Sequence, residues 1–537
     1  MTQSGRMERV EWDERNAWQR FCSFIDYSAA EFAEIQYRLL CEQLSILSTS
    51  AAGQRILGGR QPATIDGFRR TVPLTTYDDY AWLSHPGGAR SLPDGDYTWT
   101  QTFYGAGKEK WIPYSRRGLH CLMDHTMASL LLASASHHGD VRLSPGDRVL
   151  YNVPPRPFLA GVAIYGALKR FGLEGVLDPV RSEQMEFTER VRAGFEESLR
   201  SRVDVIISMT SVLLKVGERF ERHMPEDTGA PGKERLKKNG RAVGRFARAK
   251  VKSAIGRRPV RPYDLWRPKA IVGWGLDTRF FSDRVAQYWG RAPFEVHAST
   301  EGGVMGLQVR PGGGMSLIPE ANFYEFIPES ELESARIDPS YIPATLLYDE
   351  VEAGETYELV ITNFYGMPLT RYRSGHLVRF LNTAANYGLE YEFIGRSDER
   401  IDIAGFTRLD ESTVWKAMAH ANLQFRDWTM RREMGDGHPV LHLYGEATHP
   451  YNACEVTALL HNSLRNVDPL YTDLDIMLGI RPLKVTLLEP GAFDRYYYAR
   501  LRDGAPLLDR RPPRMNSADP VIERLLSPAR EALAGTA

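Results

Sequence analysis

Apolar positions along the chain change their spacing three times, and each change predicts a different architecture. Near the start, Ser28 stands three residues before Glu31, and Phe32, Ile35 and Leu39 then repeat on one face. That arrangement predicts a capped helix. From about Val149, short apolar runs alternate with longer amphipathic ones: VLYNV, then Leu159–Phe171, VDVIISM, AIVGWG and FEVHAS. Short buried strands separated by helices predict an α/β layer with a largely parallel sheet, and ligand sites of such sheets gather at strand ends. After Gly354 the runs YELVITNF, LVRFL and YEFIGR lie close enough together to predict antiparallel strands. From Asp398 the order becomes a helix near Ser412–Ala421, strands near Trp428–Arg432 and Val440–Tyr444, a helix near Tyr451–Leu464 and a strand at KVTLLEP. This predicts a separate small α+β domain.

Length and composition agree with two domains. The chain has 537 residues, too many for one ordinary core. Its 43% hydrophobic and 25% charged residues are those of a globular protein, and the formal net charge of -1 predicts no global attraction to nucleic acid or membrane. Cys22, Cys41, Cys121 and Cys454 are widely spaced, which predicts neither a disulfide framework nor a zinc knuckle. No apolar run near the amino terminus suits a signal peptide, and none elsewhere approaches a membrane span. The expectation is a soluble, cytoplasmic protein. One segment departs from the neutral average. Between Lys233 and Arg261 stand a dozen Lys or Arg and a single acid, Glu234, with one aromatic, Phe246, among them and not the run of interleaved aromatics that single-strand binding prefers. A solvated helix or a loop fits this better than a patch for an anionic partner.

Four short patterns carry candidate chemistry. TWTQTFYGAGKEKWIPYS (Thr98–Ser115) places glycines before lysines, which suits phosphate. FEVHASTEGG (Phe294–Gly303) runs a strand into hydroxyls and one carboxylate, enough for part of a Mg²⁺ shell or for a helix cap. GMPLTRYRSGHLVRF (Gly366–Phe380) suggests an arginine-rich turn between strands. EFIGRSDERIDIAGFTRLDEST (Glu392–Thr413) puts GRSD at the domain boundary, where a hinge or a plain linker fits. His120, Asp124 and His125 make a weak metal candidate, because no third ligand follows at a telling spacing.

In this order and spacing the patterns resemble the adenylate-forming superfamily of acyl ligases. That superfamily includes the phenylacetate–CoA ligases and the plant-type acyl-acid amido synthetases of the auxin and jasmonate branch. FRRTVPLTTYDDYAWL (Phe68–Leu83) and GAFDRYYYARLRDGAPLLDRRPPRM (Gly491–Met515) are similar to the entry and closing segments of the amido synthetases. The resemblance implies an α/β fold: a large N-terminal domain (1–397) with mixed sheets and flanking helices, and a small mobile α+β lid (398–537). It implies ATP and Mg²⁺ as cofactors. It implies a carboxylic acid and an amine or amino acid as small-molecule partners, with neither nucleic acid nor membrane among them.

By the same resemblance Thr102, Tyr104, Gly105, Gly107 and Lys108, with Ala106 and Lys110 nearby, would hold ATP phosphates. Ser299, Thr300 and Arg396 would contact the nucleotide, Glu301 the metal, and Arg373 and Arg511 the phosphate or acyl carboxylate, with Asp398 a hinge candidate. The departures gather in the nucleotide site. Phe103 and Tyr104 stand where small residues are expected, Arg511 where a lysine is, and His376 where an aspartate would grip the ribose. Neutral imidazole offers one acceptor, so the change should cost about 1–3 kcal/mol of nucleotide binding. His376 could instead serve as a general base, or be a tolerated replacement in an exposed turn. Two functions stay open. One is an ATP-dependent carboxylate–amine ligase for a hydrophobic or aromatic acid, bound near Val162–Leu168, Met209–Leu213 and Trp274–Leu276. The other is a repurposed fold that performs an ATP-independent condensation or acyl transfer, or only binds a small ligand.

Overall fold

The structure is a computed structural model that describes residues 9–83, 87–93, 95–104, 108–185, 187–222, 240–274, 278–338, 340–381, 389–397, 400–403, 407–435, 438–468, 471–472, 482–505 and 510–527. The chain divides into two compact units. The larger comprises Met1–Thr102, Glu109–Ser374 and Val378–Phe393; the smaller holds Ile394–Ala537 with the short segments Phe103–Lys108 and Gly375–Leu377.

The larger unit is built on an eleven-stranded mixed sheet. Two strands, β1 (Tyr97–Tyr104) and β2 (Lys108–Ser115), form a separate two-stranded sheet. The main sheet begins with β3 (Arg148–Asn152), β4 (Glu174–Gly175), β5 (Val205–Met209), β6 (Ala270–Trp274) and β7 (Phe294–Ser299). These pair in parallel in the spatial order β4-β3-β5-β6-β7. Val205, Ile206 and Ile207 of β5 are buried together, as expected of parallel strands covered on both faces. Continuing along the sheet are β8 (Gly303–Gln308) and β9 (Met315–Leu317), then β10 (Asn322–Pro328), β11 (Thr356–Asn363), β12 (Tyr372–Phe380) and β13 (Tyr391–Arg396). Here β7–β8, β8–β9, β9–β13 and β10–β11 are antiparallel.

The helices pack as the periodicity predicts. Ser28 and Glu31 cap Ala29–Ser48 reciprocally, and Phe32 and Leu39 are buried on one face. Ser115 caps Arg116–Ser134 through the Gly118 amide, and this helix buries Leu122, Met123, Met127, Leu130 and Leu131 in the main core. Leu159–Phe171 ends at Gly172 in the left-handed region, φ 67°. Its Val162, Ala163, Ile164, Ala167 and Leu168 are buried core residues.

Two expectations are corrected. YRSGH is no turn: it lies within the continuous strand β12, which sits between β11 and β13 and buries Leu377, Val378 and Phe380. The turn lies upstream, where Tyr365, Gly366 and Arg371 take positive φ. His376 is accordingly not in an exposed turn but buried in the strand. In the basic segment, Gly240–Ile255 is helical and residues 223–239 lie outside the described ones.

The smaller unit carries β14 (Ile401–Ile403) and β15 (Thr407–Leu409) as a two-stranded antiparallel sheet. Beside them β16 (Phe425–Gly435), β17 (His438–Ala447) and β18 (Leu483–Leu487) form a three-stranded one. Helices Glu411–His420 and Ala453–Val467 pack against each other. Asp398 lies outside the described residues.

Candidate active site

The site of the larger unit centres on the tight turn between β7 and β8. Ser299 Oγ accepts from the Gly302 amide at 3.0 Å, and Gly303 takes φ 68°, a conformation that favours glycine. Three side chains from other elements pin the turn. Tyr114 donates its hydroxyl to Thr300 O at 2.9 Å, Asn363 Nδ2 donates to Glu301 O at 3.0 Å, and Asn322 Nδ2 donates to Gly302 O at 2.8 Å. Asn322 and Asn363 also bond each other at 2.9 Å. With its backbone fixed on every side, the Glu301 side chain has a defined aim.

That aim is toward Lys110 on β2. The buried Lys110 ammonium donates to Glu301 Oε1 at 3.1 Å and to Tyr372 OH at 3.2 Å, and lies 4.8 Å from the centroid of the Tyr77 ring. Tyr372 OH in turn donates to the same Oε1 at 3.4 Å. Both interactions fall on one carboxylate oxygen, and among the described residues none is made to Oε2. Burial raises the Tyr77 hydroxyl pKa against the opposing bond from the Trp111 amide, with the Glu301 charge adding to the rise. Burial likewise drives Tyr114 well above its ordinary value, again reinforced by Glu301. Both phenols stay protonated at neutral pH.

The segment Phe68–Leu83 builds the wall beside this cluster. Thr75 bridges to Tyr372 in parallel, taking a bond from Arg373 N at 2.8 Å and giving one to Arg371 O at 2.9 Å. Tyr80 OH accepts from Thr370 N at 2.8 Å. The entry motif thus fixes the start of β12 and with it the Tyr372 ring.

Other predicted residues sit elsewhere. Arg373 is held by Glu358 in a bidentate pair, Nε to Oε1 3.0 Å and Nη2 to Oε2 2.6 Å. The bonds to Glu358 raise its pKa further, outweighing burial. His376, Arg396 and Arg511 belong to the smaller unit. Gly375 at φ 71° lets Arg396 Nη2 come within 3.5 Å of where a Cβ would stand. Arg511 is exposed, whereas the neighbouring Arg514 lies over Trp415 and Trp428 at 5.4 and 5.1 Å and bonds Asp427 and Trp428 O. Thr102, Tyr104 and Lys108 fall at the facing ends of β1 and β2, and Gly105, Ala106 and Gly107 lie outside the described residues. Sequence reasoning left Tyr77, Tyr114, Asn322, Asn363 and Tyr372 out of the site. Tyr372, adjacent to Arg373 in its motif, Tyr77, inside the entry segment, and Tyr114, inside the Thr98–Ser115 motif, carried a signal that could have found them.

Among the described residues no group of three or more His, Cys, Asp or Glu could cage a metal. The weak candidate near His120 is put to other uses. His125 Nε2 lies 3.5 Å from Cys121 Sγ, and burial lowers its pKa to about 4, while Asp124 accepts from Arg170 Nε at 3.1 Å. The single open oxygen of Glu301 fits an ion held mostly by phosphate and water, as Mg²⁺ is in nucleotide sites.

Residues 315–396 match the GH3 family central domain. Over these residues the chain is similar to that domain. This domain spans β9 through β13, including Tyr372, Arg373, His376 and Arg396. Over 251 residues the chain is 26% identical to indole-3-acetic acid-amido synthetase GH3.8 of Oryza sativa subsp. indica, covering 43% of this chain and 40% of that protein. Over 151 residues it is 35% identical to a GH3 domain-containing protein of Homo sapiens, covering 26% of each. The matched part is thus less than half the length of these curated relatives. The fold superposes on the AtGH3.15 acyl acid amido synthetase in complex with 2,4-DB at a TM-score of 0.69 and 17% identity, over 96% of this chain and 97% of that one. It superposes on 2-hydroxyisobutyryl-CoA ligase in the postadenylation state at 0.59 and 15%, over 98% of each. These likenesses show a fold shared with those two structures. No helix among the described residues is long and apolar enough to cross a membrane.

Proposed function

We propose that the chain activates a carboxylic acid as its acyl-adenylate and transfers the acyl group to an amine. The observation that carries this reading is the Lys110–Glu301–Tyr372 cluster on a turn pinned by four hydrogen bonds. A carboxylate so fixed, with one oxygen held and one open, is preorganised to face a cation brought in by phosphates. In the first half-reaction a carboxylate oxygen of the acid attacks the α-phosphorus of ATP and pyrophosphate leaves. Mg²⁺, when bound, supplies neutralisation of phosphate charge, and Glu301 would hold it. Lys110 orients Glu301 while contributing positive charge to the site. In the second half-reaction an amine nitrogen attacks the acyl carbon, loses a proton and releases AMP.

The amine, rather than a thiol, is supported by the GH3 central domain and by relatives whose names are those of amido synthetases. Roles for Ser299, Thr300, Arg396 and Arg511 at the nucleotide follow the family resemblance. The test is carboxylate-dependent exchange of labelled pyrophosphate into ATP with a panel of aromatic, aliphatic and polar acids. Exchange that vanishes in Glu301→Ala supports the reading; absence of exchange with every acid overturns it.

A specific observation favours a second reading. Arg373 is committed to Glu358, and the aspartate expected for ribose is the buried His376. Both changes weaken the grip on a nucleotide. On this reading the same pocket joins acyl donor and acceptor without ATP, and calorimetric titration showing no ATP binding alongside product formation from a pre-activated acyl donor would select it.

A further inference from the structure

The helix Gly240–Ile255 and the turn after it lie outside everything assigned to the acyl site. Between Gly240 and Arg261 the sequence has eight basic residues, Arg241, Arg245, Arg248, Lys250, Lys252, Arg257, Arg258 and Arg261, and no acid. Some of these are structural. Arg245 Nη1 donates to Ser201 O at 2.7 Å and Ser198 O at 3.3 Å, capping the C-terminal end of helix Phe187–Arg200. Arg258 pairs bidentately with Asp264 at 2.8 Å through both nitrogens. Phe246 and Ala249 pack into the hydrophobic cluster around Trp266 and Trp289. One face of the helix is therefore anchored.

The opposite face is of another kind. Val243, Ala247, Val251 and Ile255 recur every four residues, a single stripe, and all are exposed; Val243 is 46%, Val251 58% and Ile255 80% exposed. Exposed Arg248 and Lys250 flank the stripe, with Arg257 just past its end, and none of the three makes an ion pair with the described residues. A merely solvated face would carry polar residues where Val251 and Ile255 stand. Nucleic acid would use the cations but has no use for an aliphatic stripe lacking aromatic platforms. An apolar stripe between unpaired cations, on a helix held rigidly from behind, matches the interface of an anionic lipid bilayer.

We propose that this helix docks the protein peripherally on an anionic membrane surface, its Val243–Ile255 stripe entering the headgroup region while Arg248, Lys250 and Arg257 meet lipid phosphates and carboxylates. The docking is independent of the acyl chemistry proposed above.

The test is co-sedimentation of the full chain with vesicles of phosphatidylcholine alone and of phosphatidylcholine mixed with phosphatidylserine, at low and high salt. Binding is expected on the mixed vesicles only, weakening as salt rises. The double substitutions Val251→Glu/Ile255→Glu and Arg248→Glu/Lys250→Glu should each lower the partition at least about tenfold. All four side chains are exposed, so thermal melting should be unchanged and folding is separated from docking. No binding to mixed vesicles at low salt, equal binding to neutral ones, or variants that partition like the parent chain would overturn the proposal. So would tighter retention by poly(U) RNA that is lost in the charge-reversed pair and kept in the Val251/Ile255 pair.

Discussion

Two buried ion pairs in the larger unit differ in a way that separates architecture from chemistry. Arg371 and Glu325 are almost wholly enclosed: Arg371 donates through Nε and Nη2 to Glu325 at 2.9–3.2 Å, through Nη2 to Thr345 Oγ1 at 3.1 Å, and through Nη1 to Val72 O at 2.6 Å and to Arg69 O. Thr345 Oγ1 also donates to Glu325 at 2.7 Å. The guanidinium fork is saturated, and the pair holds Arg371 at a positive φ of 45° in the turn before β12. Lys110 and Glu301 use a point charge instead. Both of their bonds fall on one carboxylate oxygen, and among the described residues none is made to the other. A pair that satisfies every donor is a clamp, and a pair with one open acceptor is a site.

The comparison makes opposite demands of the two pairs. Arg371→Ala leaves Glu325 buried without its partner and should cost about 3–5 kcal/mol of stability, read by denaturant unfolding. A loss below about 1 kcal/mol would break the distinction. Glu301→Gln strands the buried Lys110 charge but keeps an oxygen to accept its bond, so it should cost less stability than Arg371→Ala while lowering carboxylate-dependent pyrophosphate exchange about 10²–10³-fold. A variant that unfolds early but exchanges normally would reverse the assignment.

Smaller effects refine the same contrast. His376→Asp restores a two-acceptor group and should tighten ATP binding about ten- to hundredfold by calorimetry. Loss of product formation in that variant would instead identify His376 as the base. The smallest effect concerns the saturated network of the smaller unit. Burial would raise Glu433, but bonds from Tyr444, His442 and Arg431 at 2.7 Å outweigh it and hold the pKa down to about 2, from an ordinary 4.5. A depressed carboxylate contributes stability that is fully present above its unfolded pKa and lost as pH falls through the folded one. Stability should therefore drop between about pH 4.5 and 2, by roughly 1–2 kcal/mol after screening, read as a falling melting temperature, and Glu433→Gln should flatten that slope.

Much of this was legible in the sequence because its signals are local. The Ser28–Glu31 cap, the Leu159–Phe171 helix and the apolar run of β5 depend on residues a few positions apart. The YRSGH segment misled because arginines, serine and glycine are turn formers in isolation. In the sheet, neighbours on both sides satisfy its backbone and Glu358 neutralises Arg373. Tyr114, Asn322 and Asn363 were not picked out as site residues because their targets, the carbonyls of Thr300, Gly302 and Glu301, lie 186, 20 and 62 positions away respectively.

By itself the sequence determined the element types, the α/β architecture and the residues that bear chemical groups, since periodicity and motif spacing are properties of neighbouring positions. Only the tertiary structure decided which charged groups were committed to one another. It gave Arg373 to Glu358, saturated Arg371, and left Glu301 one open oxygen beside Lys110. That allocation depends on distances of about 3 Å between residues remote in the chain, and hydrogen bonds are made or lost within tenths of an ångström.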